Sequence, residues 1–175
     1  MNPVLLPLLT SSWLCGAALF DLKKRAVPNW LTLPVLAASL AWGFLRGEWP
    51  VSTLVLLLIL VSDLPFFWGL AAAAGLVALY QLLPVPSFTG AASLESLLLL
   101  GIWTTWKLGK TGGADAKVLL ALTLAFGPGI CLVVLVTGGI AALIARLRHQ
   151  ESLPYMLPVL AGSILYFVLK PLLLT

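Results

Sequence analysis

Charge is the scarcest thing in this sequence. Asp, Glu, Lys and Arg make up 9% of its 175 residues, against about 25% in soluble domains. With 61% apolar residues and a mean hydropathy of +1.10, the chain carries more apolar surface than one soluble core can bury. The single His, His149, has no second His to share a metal. The two cysteines, Cys15 and Cys131, lie in apolar runs without metal-ligand spacing; reduced, packed thiols and no disulfide are expected. The alternating strands of a membrane barrel are missing too. Continuous Leu, Ala and Val runs stand in their place, so the spans read as helices that satisfy their own backbone hydrogen bonds. There is no low-complexity tract, repeat or separate soluble segment. The opening MNPVLLPLLT has no basic residue before its apolar run, so it is expected to stay in the protein as a span and not be removed as a signal peptide.

What is present is a series of eight apolar segments separated by short breaks. They are 3–20, Trp30–Leu45, Val51–Ser62, Phe66–Leu83, Ala91–Trp106, Ala116–Phe126, Ile130–Ala145 and 153–169. The class is an all-α, polytopic transmembrane bundle with six to eight true spans. Val51–Leu83 as one straight helix would be about 50 Å long, against a hydrocarbon core of about 30 Å. The polar Asp63-Leu64-Pro65 divides it. Pro84–Gly90 reads as a loop, Gly127-Pro128-Gly129 as a sharp turn, and Arg146, Arg148 and His149 as a basic loop. With eight spans and the N-terminus outside, Lys23, Lys24, Arg25, Lys107, Lys110, Lys117, Arg146 and Arg148 all face the cytoplasm. Only Arg46 and Lys170 face outward. That is the asymmetry of the positive-inside rule. The net charge of +4 therefore encodes topology, and no nucleic-acid partner is expected.

Two of the breaks carry chemistry. Phe20–Asn29 (FDLKKRAVPN) starts a polar stretch with Asp21 and ends in the turn-forming Pro28-Asn29. Lys107–Lys117 (KLGKTGGADAK) places Asp115 behind Gly112, Gly113 and Ala114, where the next helix begins. The parity of the spans puts both aspartates on the cytoplasmic face. Carboxylates beside hydrocarbon are costly and are functional candidates. The small residues before Asp115 would let another helix or an extended substrate come close. Two carboxylates about 3 Å apart share one proton. One then takes a proton from water while the other hydrogen-bonds a scissile carbonyl, which is peptide hydrolysis without metal or cofactor. The plainer reading is that both aspartates mark helix ends and pair with nearby Lys or Arg.

On these residues the sequence resembles the type IV prepilin (leader) peptidases and their archaeal preflagellin relatives. That family is marked by an Asp after a span, followed by a basic stretch and a Pro-Asn or Pro-Asp turn, here Asp21–Asn29. Its second mark, G-x-G-D-x-K opening a later helix, is matched here by Gly112–Lys117, with Ala114 in place of the second Gly. A weaker mark is the Pro-containing last span, LPYMLPVLAG, at 153–162. The resemblance implies a single integral-membrane peptidase-like domain over residues 1–175, in the cytoplasmic (inner) membrane. It implies Asp21 and Asp115 as the catalytic pair, supported by Gly112, Gly113, Ala114, Lys117, Pro28 and Asn29. The substrates implied are type IV pilin-like precursors, cut after a short basic leader. The chain lacks the cysteine-bearing loop of the bifunctional members, so no N-methyltransferase activity is expected. The two aspartates also lie further apart than two spans require.

The remaining polar residues have plainer readings. Asp63 is a helix-boundary residue or a third acid at the site. Glu95 belongs at the outer interface. Lys117 serves Asp115 or a lipid phosphate, and the seven Trp anchor interfaces and fill packing. Two rival functions follow from the same residues. One is a small transporter or assembly scaffold whose aspartates bind an ion or a partner. The other is a degenerate peptidase fold that holds pilin-like helices.

Overall fold

A computed structural model describes residues 5–82, 90–149 and 154–173. Among these there are eight α-helices and no strand. They are α1 Leu5–Lys24, α2 Asn29–Leu45, α3 Trp49–Leu60, α4 Phe66–Leu82, α5 Gly90–Lys107, α6 Gly113–Phe126, α7 Pro128–Leu147 and α8 Met156–Leu173. All eight expected segments are helical. Residues 84–89 of the expected loop, Leu83 and the outermost residues of the first and last segments lie outside the described residues; Gly90, expected in that loop, is the first residue of α5. By length and composition, α1 and α7 are long and apolar enough to cross a membrane.

The helices end where backbone chemistry ends them. After α2 and α5, Gly47 (φ 79°) and Gly109 (φ 67°) take the left-handed conformation. Gly47 N–H bonds Phe44 O and Glu48 N–H bonds Gly43 O; Gly109 and Lys110 repeat the pattern on Trp106 and Thr105. Both are Schellman closures, for which glycine pays no Cβ penalty. Helix α1 closes on a non-glycine, Arg25 (φ 51°), whose N–H bonds Asp21 O at 2.9 Å. The apolar run of α1 stops at Phe20, but the helix does not. Asp, Leu and Lys are compatible with helix, and the two lysines lie at its negative end. Asp21 is therefore in the last turn of α1 and not in the break after it.

The chain forms two compact units. The first comprises Met1–Leu31 with Gly129–Thr175, the second Thr32–Pro128. In the first, α1 packs on α8, and Leu14, Ala17, Ile130, Val134, Met156 and Val159 are buried. Backbones approach closely where α8 meets α7. A Cβ on Gly162 would stand 2.9 Å from Val134 Cα, and Thr137 Oγ1 donates to Pro158 O at 3.1 Å. Of the two thiols, Cys131 is buried, as expected. Cys15 is exposed, because it lies on the outward face of α1 with Leu8 and Leu19.

In the second unit, α6 is buried along nearly its whole length, from Ala116 to Leu124. The break in Val51–Leu83 falls at a 3-10 turn, Val61–Asp63, followed by Pro65. Two side chains of α5, one helical turn apart, hold it. Trp103 Nε1 donates to Leu58 O at 2.7 Å, and Lys107 Nζ donates to Ser62 O and to Leu64 O, the latter at 2.6 Å. Carbonyls at a helix end are short of intrahelical partners, and the ammonium also suits the negative end of α3.

Candidate active site

Asp21 is the only charged side chain in the buried class among the described residues, at 8% exposure. A carboxylate removed from water is costly unless it is hydrogen-bonded. Its donor comes from the same unit but a distant part of the chain: the backbone N–H of Met156, 3.0 Å from Asp21 Oδ2. Met156 is the first residue of α8, so its N–H has no acceptor within the helix. The buried carboxylate and the orphan amide satisfy each other. Sequence reasoning missed this partner, because a backbone amide leaves no mark on residue identity. Pro154, two residues earlier, was the only hint that a helix begins there.

Asp115 stands in the first turn of α6. The N-cap is Gly112, with extended backbone (φ −61°, ψ 147°), and Ala116 N–H bonds Gly112 O at 3.0 Å. The Asp115 carboxylate folds back over this cap. A Cβ built on Gly112 would lie 2.8 Å from Asp115 Oδ2. Asp115 stands at the position of the acid in a capping box, three residues after a cap residue that has no side chain. The sequence suggested that these glycines make room for another helix or a substrate. In the structure Gly112 makes room for the carboxylate of its own turn. Gly113 faces the indole of Trp106, whose Nε1 would be 3.4 Å from a Cβ there.

The other candidates divide between the two units. Pro28 and Asn29 start α2, where Leu31 N–H bonds Pro28 O at 3.0 Å. Trp30 stacks edge-on to Phe20, and Trp13 Nε1 donates to Leu31 O at 3.0 Å. The turn from Asp21 to Asn29 is thereby fastened to α1. Ala114 and Lys117 are half-buried in the first turns of α6. Asp63 is exposed at the end of the 3-10 turn. Asp21 belongs to the first unit; Asp63 and Asp115 belong to the second. Lys107, which the sequence offered only as a topology marker, proves to be a structural donor at the α3–α4 break.

Each candidate aspartate is therefore met by the N-terminal end of a helix: Asp21 by that of α8, and Asp115 by that of its own helix, α6. Neither the comparison with curated proteins nor that with solved structures finds a match. The scan against protein families does: residues 8–147 match the type IV leader peptidase family, a stretch that includes both aspartates and the Gly112–Lys117 motif. With most of its length matched, the chain belongs to the type IV leader peptidase family.

Proposed function

We propose that this peptidase is an aspartyl endopeptidase of the membrane, and that Asp21 and Asp115 are its catalytic pair. The observation that carries the reading is the buried, amide-bonded carboxylate of Asp21. Asp115, held over a glycine cap in the matched motif, supplies the second carboxyl. In the reaction, one carboxylate takes a proton from water as the oxygen adds to the scissile carbonyl carbon. The other, protonated, donates to the carbonyl oxygen. The tetrahedral diol then collapses: the second carboxylate takes a proton back from one diol hydroxyl, the C=O bond reforms, the C–N bond breaks, and the amine leaves with the proton first taken from water. Acid and base are not assigned separately to the two residues.

The membrane setting rests on the faces the helices leave uncovered. Leu8, Leu19, Leu132, Val136, Ile140, Leu143 and Val168 are exposed on α1, α7 and α8, and Leu60, Phe67, Trp68, Leu79 and Leu97 on α3, α4 and α5. Lipid is the solvent that suits such surfaces. In this reading both units form one multi-pass domain of the cytoplasmic membrane, with the N-terminus outside and the aspartates at the cytoplasmic side. The substrate is a type IV pilin-like or archaeal flagellin-like precursor, cut between its basic leader and its apolar helix.

The test is cleavage of such a precursor by the reconstituted protein and by D21N, D115N and D63N. Loss of cleavage in the first two, with insertion intact and D63N active, is the expected result. Cleavage by D21N or D115N sinks the assignment. Equal loss in all three would favour the ion-binding transporter or scaffold.

A further inference from the structure

The family match ends at residue 147, before α8, yet the hydrogen bond that fixes Asp21 comes from α8. We infer that the backbone N–H of Met156 is a positioning group for hydrolysis, which leaves Asp21 Oδ1 as the oxygen that faces water or substrate. The inference rests on the peptidase reading above and extends it to a part of the chain that the family match does not reach.

Three observations support it. First, the carboxylate is divided. Oδ2 accepts from Met156 N–H at 3.0 Å, while Oδ1 has no hydrogen-bond partner among the described residues. One anchored oxygen stops rotation about the Cβ–Cγ bond, so the other has a fixed direction. Second, the donor cannot drift. The Met156 side chain is fully buried, the Thr137 hydroxyl donates to Pro158 O, and Gly162 lies against the backbone of Val134. These contacts fix α8 along its axis at its first two turns. Third, the acceptor cannot drift either. Asp21 O accepts from Arg25 N–H at the helix end, while Leu14, Ala17 and Ala18 of α1 are buried. Reactions that need atoms in near-attack geometry lose about a hundredfold for a misplacement of about 1 Å, so a fixed donor of this kind bears on turnover.

The experiment deletes the N–H and keeps the helix. Position 156 is the first residue of α8, where Pro is tolerated. M156P removes the donor and M156L keeps it. A third protein carries an ester at the 155–156 linkage, introduced as the α-hydroxy analogue of methionine, which deletes the N–H and preserves the side chain. Each is reconstituted with a pilin-like precursor, its folded fraction is measured by thermal melting, and kcat is normalised to folded protein. The expected result is a fall of tenfold or more in kcat with KM unchanged for M156P and the ester, and activity within about twofold of wild type for M156L. If M156P does not fold, the ester decides. Wild-type kcat in the ester protein overturns the inference. The D21N control separates the two levels: cleavage by D21N removes the peptidase assignment itself, whereas a dead D21N beside a fully active ester protein removes only the role of Met156.

Discussion

The carboxylate of Asp115 occupies the space that a side chain on Gly112 would enter, with 2.8 Å between Oδ2 and a Cβ built there. Gly113, its neighbour, meets only the edge of Trp106, at 3.4 Å. The two adjacent glycines thus have unequal duties. G112A must push the carboxylate aside and is expected to cut kcat at least tenfold. G113A makes an ordinary van der Waals contact and should stay within about threefold. Precursor cleavage by the two variants checks this, and a more severe G113A would show that the glycines serve something other than the position of Asp115.

The grip of α5 on the α3–α4 break should be measurable as stability. Lys107→Met leaves the carbonyls of Ser62 and Leu64 without their donor. A lost partner on a buried or half-buried acceptor costs about 1–3 kcal/mol. K107M should melt earlier in detergent micelles, and K107R should recover part of the loss. An unchanged melting temperature for K107M would mean that Pro65, packing and the Trp103 hydrogen bond hold the break without the ammonium.

Trp103 makes a second, separable contribution. Its indole is fully buried and donates to Leu58 O. W103F removes the donor along with part of the packing and is expected to destabilise by about 2–4 kcal/mol, summed from the unpaired carbonyl and the lost volume. Because Trp103 and Lys107 hold neighbouring carbonyls, the double variant should cost less than the two single losses added together. A double-mutant cycle in the same melting assay reads that coupling.

The approach of α8 to α7 allows no side chain at position 162. A Cβ there would meet Thr137 Oγ1 and the Val134 backbone, so even G162A must separate the two helices, and G162V more so. Small residues at such crossings are what let membrane helices pack. The expected order of melting temperature and of cleavage is wild type, G162A, G162V. Equal activity in all three would show that α8 can shift without disturbing Asp21.

The pairing of the two aspartates has its own measurement. In a background with Cys15→Ser and Cys131→Ala, D21C and D115C placed together should be joined by a short bifunctional thiol reagent in the membrane, while D63C with D21C should not. Efficient joining of the second pair and none of the first would overturn the pairing.

The breaks were legible because Gly, Pro, Asn and short polar runs interrupt helices for local reasons. Pro28-Asn29, Asp63–Pro65 and Gly127-Pro128 all mark helix boundaries, with Asn29 and Pro128 already the first residues of α2 and α7. Ends set by less local forces were misread. Helix α3 starts at Trp49 and not Val51, because Pro50 is tolerated in the first turn. Helix α1 runs on through Lys24, because the end of an apolar run does not mark where backbone hydrogen bonding stops. Asp21 and Asp115 stood out as isolated acids in an apolar chain. The means of holding them did not, since one depends on a missing side chain at Gly112 and the other on a backbone amide 135 residues away.

That last separation also orders events in time. A ribosome adding about 5–20 residues per second takes on the order of ten seconds to travel from Asp21 to Met156. Throughout that interval α1 exists with its acid unanchored. The eighth helix is thus a late-arriving key: a chain interrupted between residues 147 and 156 carries both aspartates and the whole family-matched region, yet lacks the amide that sets the first aspartate in place.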